Sequence, residues 1–155
     1  MSQAAPRPSL MSALCYRDPR AALKWLEAAF GFETFMVITD ADGNLGHSEM
    51  RFGNGVIMVG AEWTEDHKSP ASIGRKNTQT VHVQLTEDID AHCARARAAG
   101  AEIIQAPETQ FYGDRTYRAR DGEGHIWTFG VTVQEMTPAE WDKAMGGGVR
   151  TQTRL

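Results

Sequence analysis

Residues 16–33, YRDPRAALKWLEAAFGFE, spell out a helix together with both of its ends. Asp18 is an N-cap residue and Pro19 suits the first helical position; Ala22, Leu23, Leu26, Ala29 and Phe30 then recur at helical spacing until Gly31 stops the stripe. On either side the period changes. Leu10 to Tyr16 alternates as a strand. After the helix, Phe32 to Thr39 reads as a strand, Asp40 to Asn44 as a turn, His47 to Phe52 as a strand, Gly53-Asn54-Gly55 as a tight turn and Val56 to Gly60 as a short buried strand. The order is β-α-β-β-β.

That order is written twice. A shift of 69 residues brings Ala22 onto Ala91, Ala29 onto Ala98, Gly31 onto Gly100, Glu33 onto Glu102, Arg51 onto Arg120, Gly53 onto Gly122, Gly55 onto Gly124 and Ile57 onto Ile126. The matched glycines fall where each half must end a helix or turn a hairpin. In the second copy Thr80 to Leu85 is a strand. Glu87 or Asp88 caps a helix with Ile89, Cys93 and Ala96 on its apolar side, and Gly100 closes it. Glu102 to Gln105, Thr116 to Arg120 and His125 to Gly130 are three more strands. His92 is expected on the exposed part of this helix and His67 in the connection, both in water. The resulting organisation is an arm over 1–9, a first module over 10–60, a connection over 61–78, a second module over 79–130 and a C-terminal segment over 131–155. In that last segment Thr137-Pro138-Ala139-Glu140 forms a capping box. Two copies of one unit imply a pseudo-twofold pairing with a cleft between equivalent strands.

The chain has 155 residues, 41% of them hydrophobic, which suits one globular domain with a sizeable core. A net charge of -4 with dispersed Lys and Arg gives no electrostatic reason to expect nucleic acid or an acidic membrane surface. No cationic and apolar leader opens the sequence, no apolar run approaches a membrane span, and the only cysteines are Cys15 and Cys93. Cytoplasmic residence with reduced thiols is expected. Both cysteines read as small core hydrophobes rather than nucleophiles.

Strand alternation assigns faces. Leu14, Tyr16, Ser48, Met50, Phe52, Val81, Val83 and Leu85 belong against the helices. The opposite, open face takes Met11, Ala13, Cys15, His47, Glu49 and Arg51 from the first module, and Thr80, His82, Gln84, Thr116, Arg118 and Arg120 from the second. Val59 and Thr128, matched by the 69-residue shift, are expected on the open face, with Met58 and Trp127 behind. On this reading His47, Glu49, Arg51, His82, Gln84 and Arg118 converge on one solvent-accessible cavity. Tyr112-Gly113-Asp114-Arg115 forms a loop at its mouth, either reaching over a ligand or held by a pair between Asp114 and Arg115.

YRDPRAALKWLEAAFGFE, HSEMRFGNGVIMVG (47–60), EDIDAHCARARAAGAEI (87–103) and YGDRTYRARDGEGHIWTFG (112–130) together resemble the glyoxalase, bleomycin-resistance and extradiol-dioxygenase group, the vicinal oxygen chelate superfamily. The chain is most similar to its small bacterial glyoxalase-like proteins. The resemblance spans roughly residues 10 to 130; its most repeated signature is the DxxGH turn at Asp121 to His125, with Gly122 in place of the usual proline. It implies an α+β fold in which two tandem βαβββ modules form a half-open, eight-stranded, barrel-like sheet around a ligand cup. It also implies a homodimer that completes or seals its cups across an isologous interface, for which Trp141 and Met145 offer an apolar face.

In metal-using members of that superfamily the ligands come from the first and last strands of the modules. The positions here hold Met11, Val59, Thr80 and Thr128, none suited to a divalent cation, so no metal and no cofactor is expected. If the strand pairing slips, His82 with His47 and Glu49 forms an alternative ligand set. The expectation is therefore a metal-free protein that binds a small-molecule ligand through His47, Arg51, Gln84, Arg118 and Thr128. The enzymatic alternative, a lyase, isomerase or dioxygenase of the same superfamily, takes Glu49 as general base with His82 or His47 polarising an oxyanion.

Overall fold

Helix α1 runs from Pro19 to Phe30 in the computed structural model, which describes residues 6–154. The Asp18 carboxylate accepts the Ala21 N–H at 3.0 Å, and Gly31, at φ 79°, turns its own N–H back onto the last turn. Around it the first module consists of β1 (Ser12–Tyr16), β2 (Glu33–Thr39), β3 (Leu45–Phe52) and β4 (Gly55–Ala61). The second consists of β5 (Val81–Gln84), α2 (Ile89–Ala98), β6 (Glu102–Thr109), β7 (Asp114–Arg120) and β8 (Ile126–Thr132). A short helix α3 (Pro138–Ala144) follows, opened by the expected capping box between Thr137 and Glu140. The tandem βαβββ architecture is therefore present. Its strands form two four-stranded sheets, ordered β1-β4-β3-β2 and β5-β8-β7-β6, that are not closed into one barrel. Strand β6 runs four residues beyond the expected Gln105, because Glu108 and Thr109 pair with Thr116 and Arg115 past an irregularity in the register. No helix among the described residues is long and apolar enough to cross a membrane.

The two modules differ by one residue in a hairpin, and that residue decides a face. Arg51 pairs with Val56 across residues 52–55, whereas Arg120 pairs with Ile126 across residues 121–125, one residue more. Beyond the turn the two copies therefore match at a shift of 70, and a slip of one reverses in and out. Leu14 pairs with Val59 while its counterpart Val83 pairs with Phe129. Val59 is thus fully buried against the helices beside Ile57, contrary to its expected place on the open face. The counterpart of Thr128 on that face is the half-buried Met58.

Each module closes over groups of the other. The last carbonyls of α1 lie beyond its own ladder of N–H donors, and the Gly31 N–H caps the Glu27 carbonyl at 3.2 Å. Residues of α2 meet them: Arg95 donates to Ala28 O at 2.8 Å and Glu27 O at 2.9 Å, and His92 Nε2 donates to Phe30 O at 2.9 Å. His92 is therefore not in water. It is 3% exposed, its Nδ1 lies 2.6 Å from the Tyr117 hydroxyl, and its ring packs on Phe30 and Phe129. Ile89, His92, Cys93 and Ala96 share the buried stripe of α2 at helical spacing.

The turn at Asp121 to His125 is a second fastening. Asp121, itself buried, accepts from the Tyr16 hydroxyl at 2.7 Å, Trp127 Nε1 at 3.1 Å and the N–H groups of Glu123 at 3.1 Å and His125 at 3.0 Å. His125 Nε2 donates to Cys15 O in β1 at 2.8 Å. Glu123 accepts the N–H groups of Arg17 and Asp18 at the start of α1, where an anion also meets the positive end of the helix. The signature turn joins the modules.

Candidate functional site

The strand registers place Ala13, Met58, Glu49 and Met36 side by side across the open face of the first sheet. Glu49 lies at the centre of this row and its side chain is 3% exposed. Arg7, from the segment before β1, covers it with a two-pronged contact: Nη1 donates to Oε2 at 3.1 Å and Nη2 to Oε1 at 2.8 Å. His47 Nε2 lies 3.3 Å from Oε1. The Arg7 hydrogen bond is the main reason the Glu49 carboxyl is held below the usual carboxylate range, with burial pulling the other way. Arg51, further along β3, is exposed; it pairs with Glu33 at 3.8 Å and lies 4.4 Å over the Phe35 ring.

On the second sheet the corresponding row is His82, Thr128, Arg118 and Gln105. Arg118 Nε donates to Thr128 Oγ1 at 3.3 Å, and Gln84 Nε2 to Thr132 Oγ1 at 3.1 Å. Thr116 Oγ1 accepts from Gln110 at 3.2 Å and Gln105 at 3.4 Å. Gly130 makes room for this cluster, since a Cβ there would stand 3.3 Å from both His82 Nε2 and Thr116 Cγ2. Gln105, Gln110 and Gly130 are not among the site residues expected from the sequence. The register irregularity between Ile103 and Gln105 breaks the alternation that would have placed Gln105.

A cavity of about 550 Å³ opens between the modules, walled by Met11, Phe52 and Val56 on one side and by Gln79, His82 and Gln84 on the other. Of the six side chains expected to converge, His82 and Gln84 line it. His47, Glu49, Arg51 and Arg118 lie outside its walls on the two open faces, as does Thr128. Arg115 belongs to neither cluster, and its partner is Asp90 of α2, at 2.8 Å, rather than Asp114.

The donor set does not fit a divalent metal. Of the stations implied by the resemblance, Val59 is in the core, Met11 Sδ accepts from Arg7 at 3.5 Å, and Thr128 holds Arg118. Among the described residues no three His, Cys, Asp or Glu side chains are placed to hold a metal ion, so His82 does not join His47 and Glu49 as the slipped pairing required. Burial pushes the Cys15 and Cys93 thiols up, away from nucleophilic thiolate.

The family model described as Glyoxalase/Bleomycin resistance protein/Dioxygenase superfamily matches residues 10–129. An uncharacterized protein of Mycobacterium bovis (strain ATCC BAA-935 / AF2122/97) is 30% identical over 142 residues, covering 89% of this chain and 92% of its own. Among solved structures, TioX from Micromonospora sp. ML1 superposes with a TM-score of 0.64 at 33% identity, over 79% of this chain and 97% of its own. TnmS3, described as an antibiotic binding protein from Streptomyces sp. CB03234, superposes with a TM-score of 0.60 at 15% identity, over 85% of this chain and 98% of its own.

Proposed function

Because the chain belongs to the Glyoxalase/Bleomycin resistance protein/Dioxygenase superfamily, we propose that it binds a small organic molecule between its modules, without a metal and without transforming it. The cavity carries this reading. Its volume of about 550 Å³ falls within the ~300–1,000 Å³ of ordinary ligand pockets, and its walls join apolar side chains to a few polar tips. Met11, Phe52 and Val56 supply apolar burial; His82 and Gln84 orient a carbonyl, carboxylate or phenol. His47, Arg51, Arg118 and Thr128 extend the contact surface along the open faces. TnmS3 shares the fold and is described as antibiotic binding, which supports the class of function by analogy alone. The protein works in the cytoplasm on this reading, with Cys15 and Cys93 as free thiols.

Glu49 argues against the enzymatic alternative. A general base at neutral pH works best with a carboxyl raised toward the operating pH. Here Arg7 engages both oxygens and holds the group low.

A thermal-shift screen of aromatic carbonyl, carboxylate and phenol compounds tests the proposal. A ligand at a hundred times its Kd is expected to add about 2.7 kcal/mol of stability. His82→Ala should abolish that gain while changing the unliganded protein by no more than about 0.5 kcal/mol, since His82 is exposed. If no compound stabilises the wild type, the binding reading is wrong.

The reading includes a homodimer. Phe35, Val37 and Ile38 leave apolar surface on β2, an edge strand, in the single chain. Light scattering at micromolar concentration is expected to give about twice the 17.1 kDa of one chain, and a monomer mass refutes it.

A further inference from the structure

We infer that Arg7 is an internal stand-in for a ligand cation, and that the Glu49 carboxylate beneath it is the anchor for a ligand's amidinium, guanidinium or protonated amine. This rests on the reading of the open faces as ligand-contacting surface.

A carboxylate that is 3% exposed and ionised has lost most of its water and needs charge-assisted hydrogen bonds in return. Nearly all of that return comes from one residue. Arg7 engages both oxygens with its planar fork, and among the described residues only the longer His47 contact is added. Yet Arg7 belongs to neither sheet. It sits between Pro6 and Pro8 in a stretch without helix or strand, its side chain is 56% exposed, and no residue from Pro6 to Met11 is buried. Among the described residues its side chain bonds to Glu49 and to the Met11 sulfur. The strap therefore rests on the sheet through the very contact that a ligand cation would make, while the carboxylate is fixed in the middle strands of the sheet by β3 and its neighbours.

The surroundings specify more than charge. Met36 and Met58 flank Glu49 in the same row and Met11 lies beside Arg7; all three are half-buried. Polarizable thioethers around an anionic floor suit a flat apolar body carrying a cationic head. A ligand without a positive charge would displace Arg7 only by leaving a buried carboxylate unpaired, which selects against neutral and anionic analogues. Ligand and strap are mutually exclusive, so the strap lowers apparent affinity by the fraction of time it is seated.

Benzamidine, with benzamide as its neutral analogue and benzoate as its anionic one, provides the test by NMR titration of the labelled protein. With a strap seated about nine-tenths of the time, Arg7→Ala is expected to tighten benzamidine binding about tenfold. Glu49→Gln should abolish it, and benzamide and benzoate should leave the Arg7–Glu49 site undisturbed in all three proteins, whatever they do at the His82 cavity. Unchanged benzamidine affinity in Arg7→Ala overturns the inference, as does equal displacement of Arg7 from Glu49 by benzamide. Should a substitution disturb folding, the wild type suffices: benzamidine must shift the Arg7 Nε–H resonance saturably and benzamide must not, and the opposite result overturns the inference. If a screened compound still binds through His82 while benzamidine fails, the cation anchor is refuted and the binding function stands. If neither binds, both fall.

Discussion

Asp121→Ala is expected to destabilise the protein by about 3–5 kcal/mol, a large share of the stability of a domain of this size. The carboxylate is buried and collects donors from two modules: the Tyr16 hydroxyl lies 105 positions away in sequence, while Trp127 and the turn amides are local. Removing it leaves several buried donors without a partner at once, and each costs about 1–3 kcal/mol when stranded, with the sum reduced by relaxation and entering water. Desolvation of the Tyr16 phenol, together with its bond to Asp121, already pushes the phenol pKa well up, so the group cannot escape the loss by ionising. Urea unfolding followed by tryptophan fluorescence measures the cost, and Trp127 reports from inside the network. Asp121→Asn retains one acceptor oxygen and should fall between the wild type and the alanine variant. A loss below about 1 kcal/mol for Asp121→Ala would show that the modules do not depend on this turn.

His92→Ala is expected to cost about 2–4 kcal/mol and to change the pH profile of stability. A carbonyl only accepts, so Nε2 carries the proton toward Phe30 O and Nδ1 accepts from the Tyr117 hydroxyl. The buried ring is therefore neutral, and burial holds its pKa below the ordinary 6.5. The unfolded chain takes up a proton near pH 6.5 that the folded chain refuses. The contribution is accordingly whole above pH 6.5 and lost as the pH falls below it toward the lowered folded value. Unfolding free energies at pH 7.5 and 5.5 should drop more steeply for the wild type than for the alanine variant. Parallel slopes would mean that the ring is not buried neutral.

Much of this molecule is legible along the chain because its information is local. The caps of α1, the glycines that end helices and turns, and the alternation that sends Leu14, Tyr16, Met50 and Val83 inward all depend on neighbours a few residues apart. Two misplacements carried a signal that was there to be used. A shift of 70 after the second hairpin aligns Ile57 with Trp127 and Val59 with Phe129, buried with buried, and would have put Val59 in the core. His92 stands three residues after Ile89 and four before Ala96, on the apolar stripe, a spacing that outweighs the polarity of its ring.

Other features depend on residues far apart in sequence. That Arg7 reaches Glu49 across 42 positions, and that His82 and Gln84 line the cavity while His47, Glu49 and Arg118 do not, follows from how two twisted sheets are set against each other. No periodicity records that relation. The sequence by itself determined the two modules, their order and which side chains turn away from each core, because helix and strand periods are properties of adjacent residues. Only the tertiary structure decided which of those outward groups share a space and which carboxylate is ionised under a guanidinium, because burial and charge pairing depend on atoms that folding, not chain order, brings within a few ångströms.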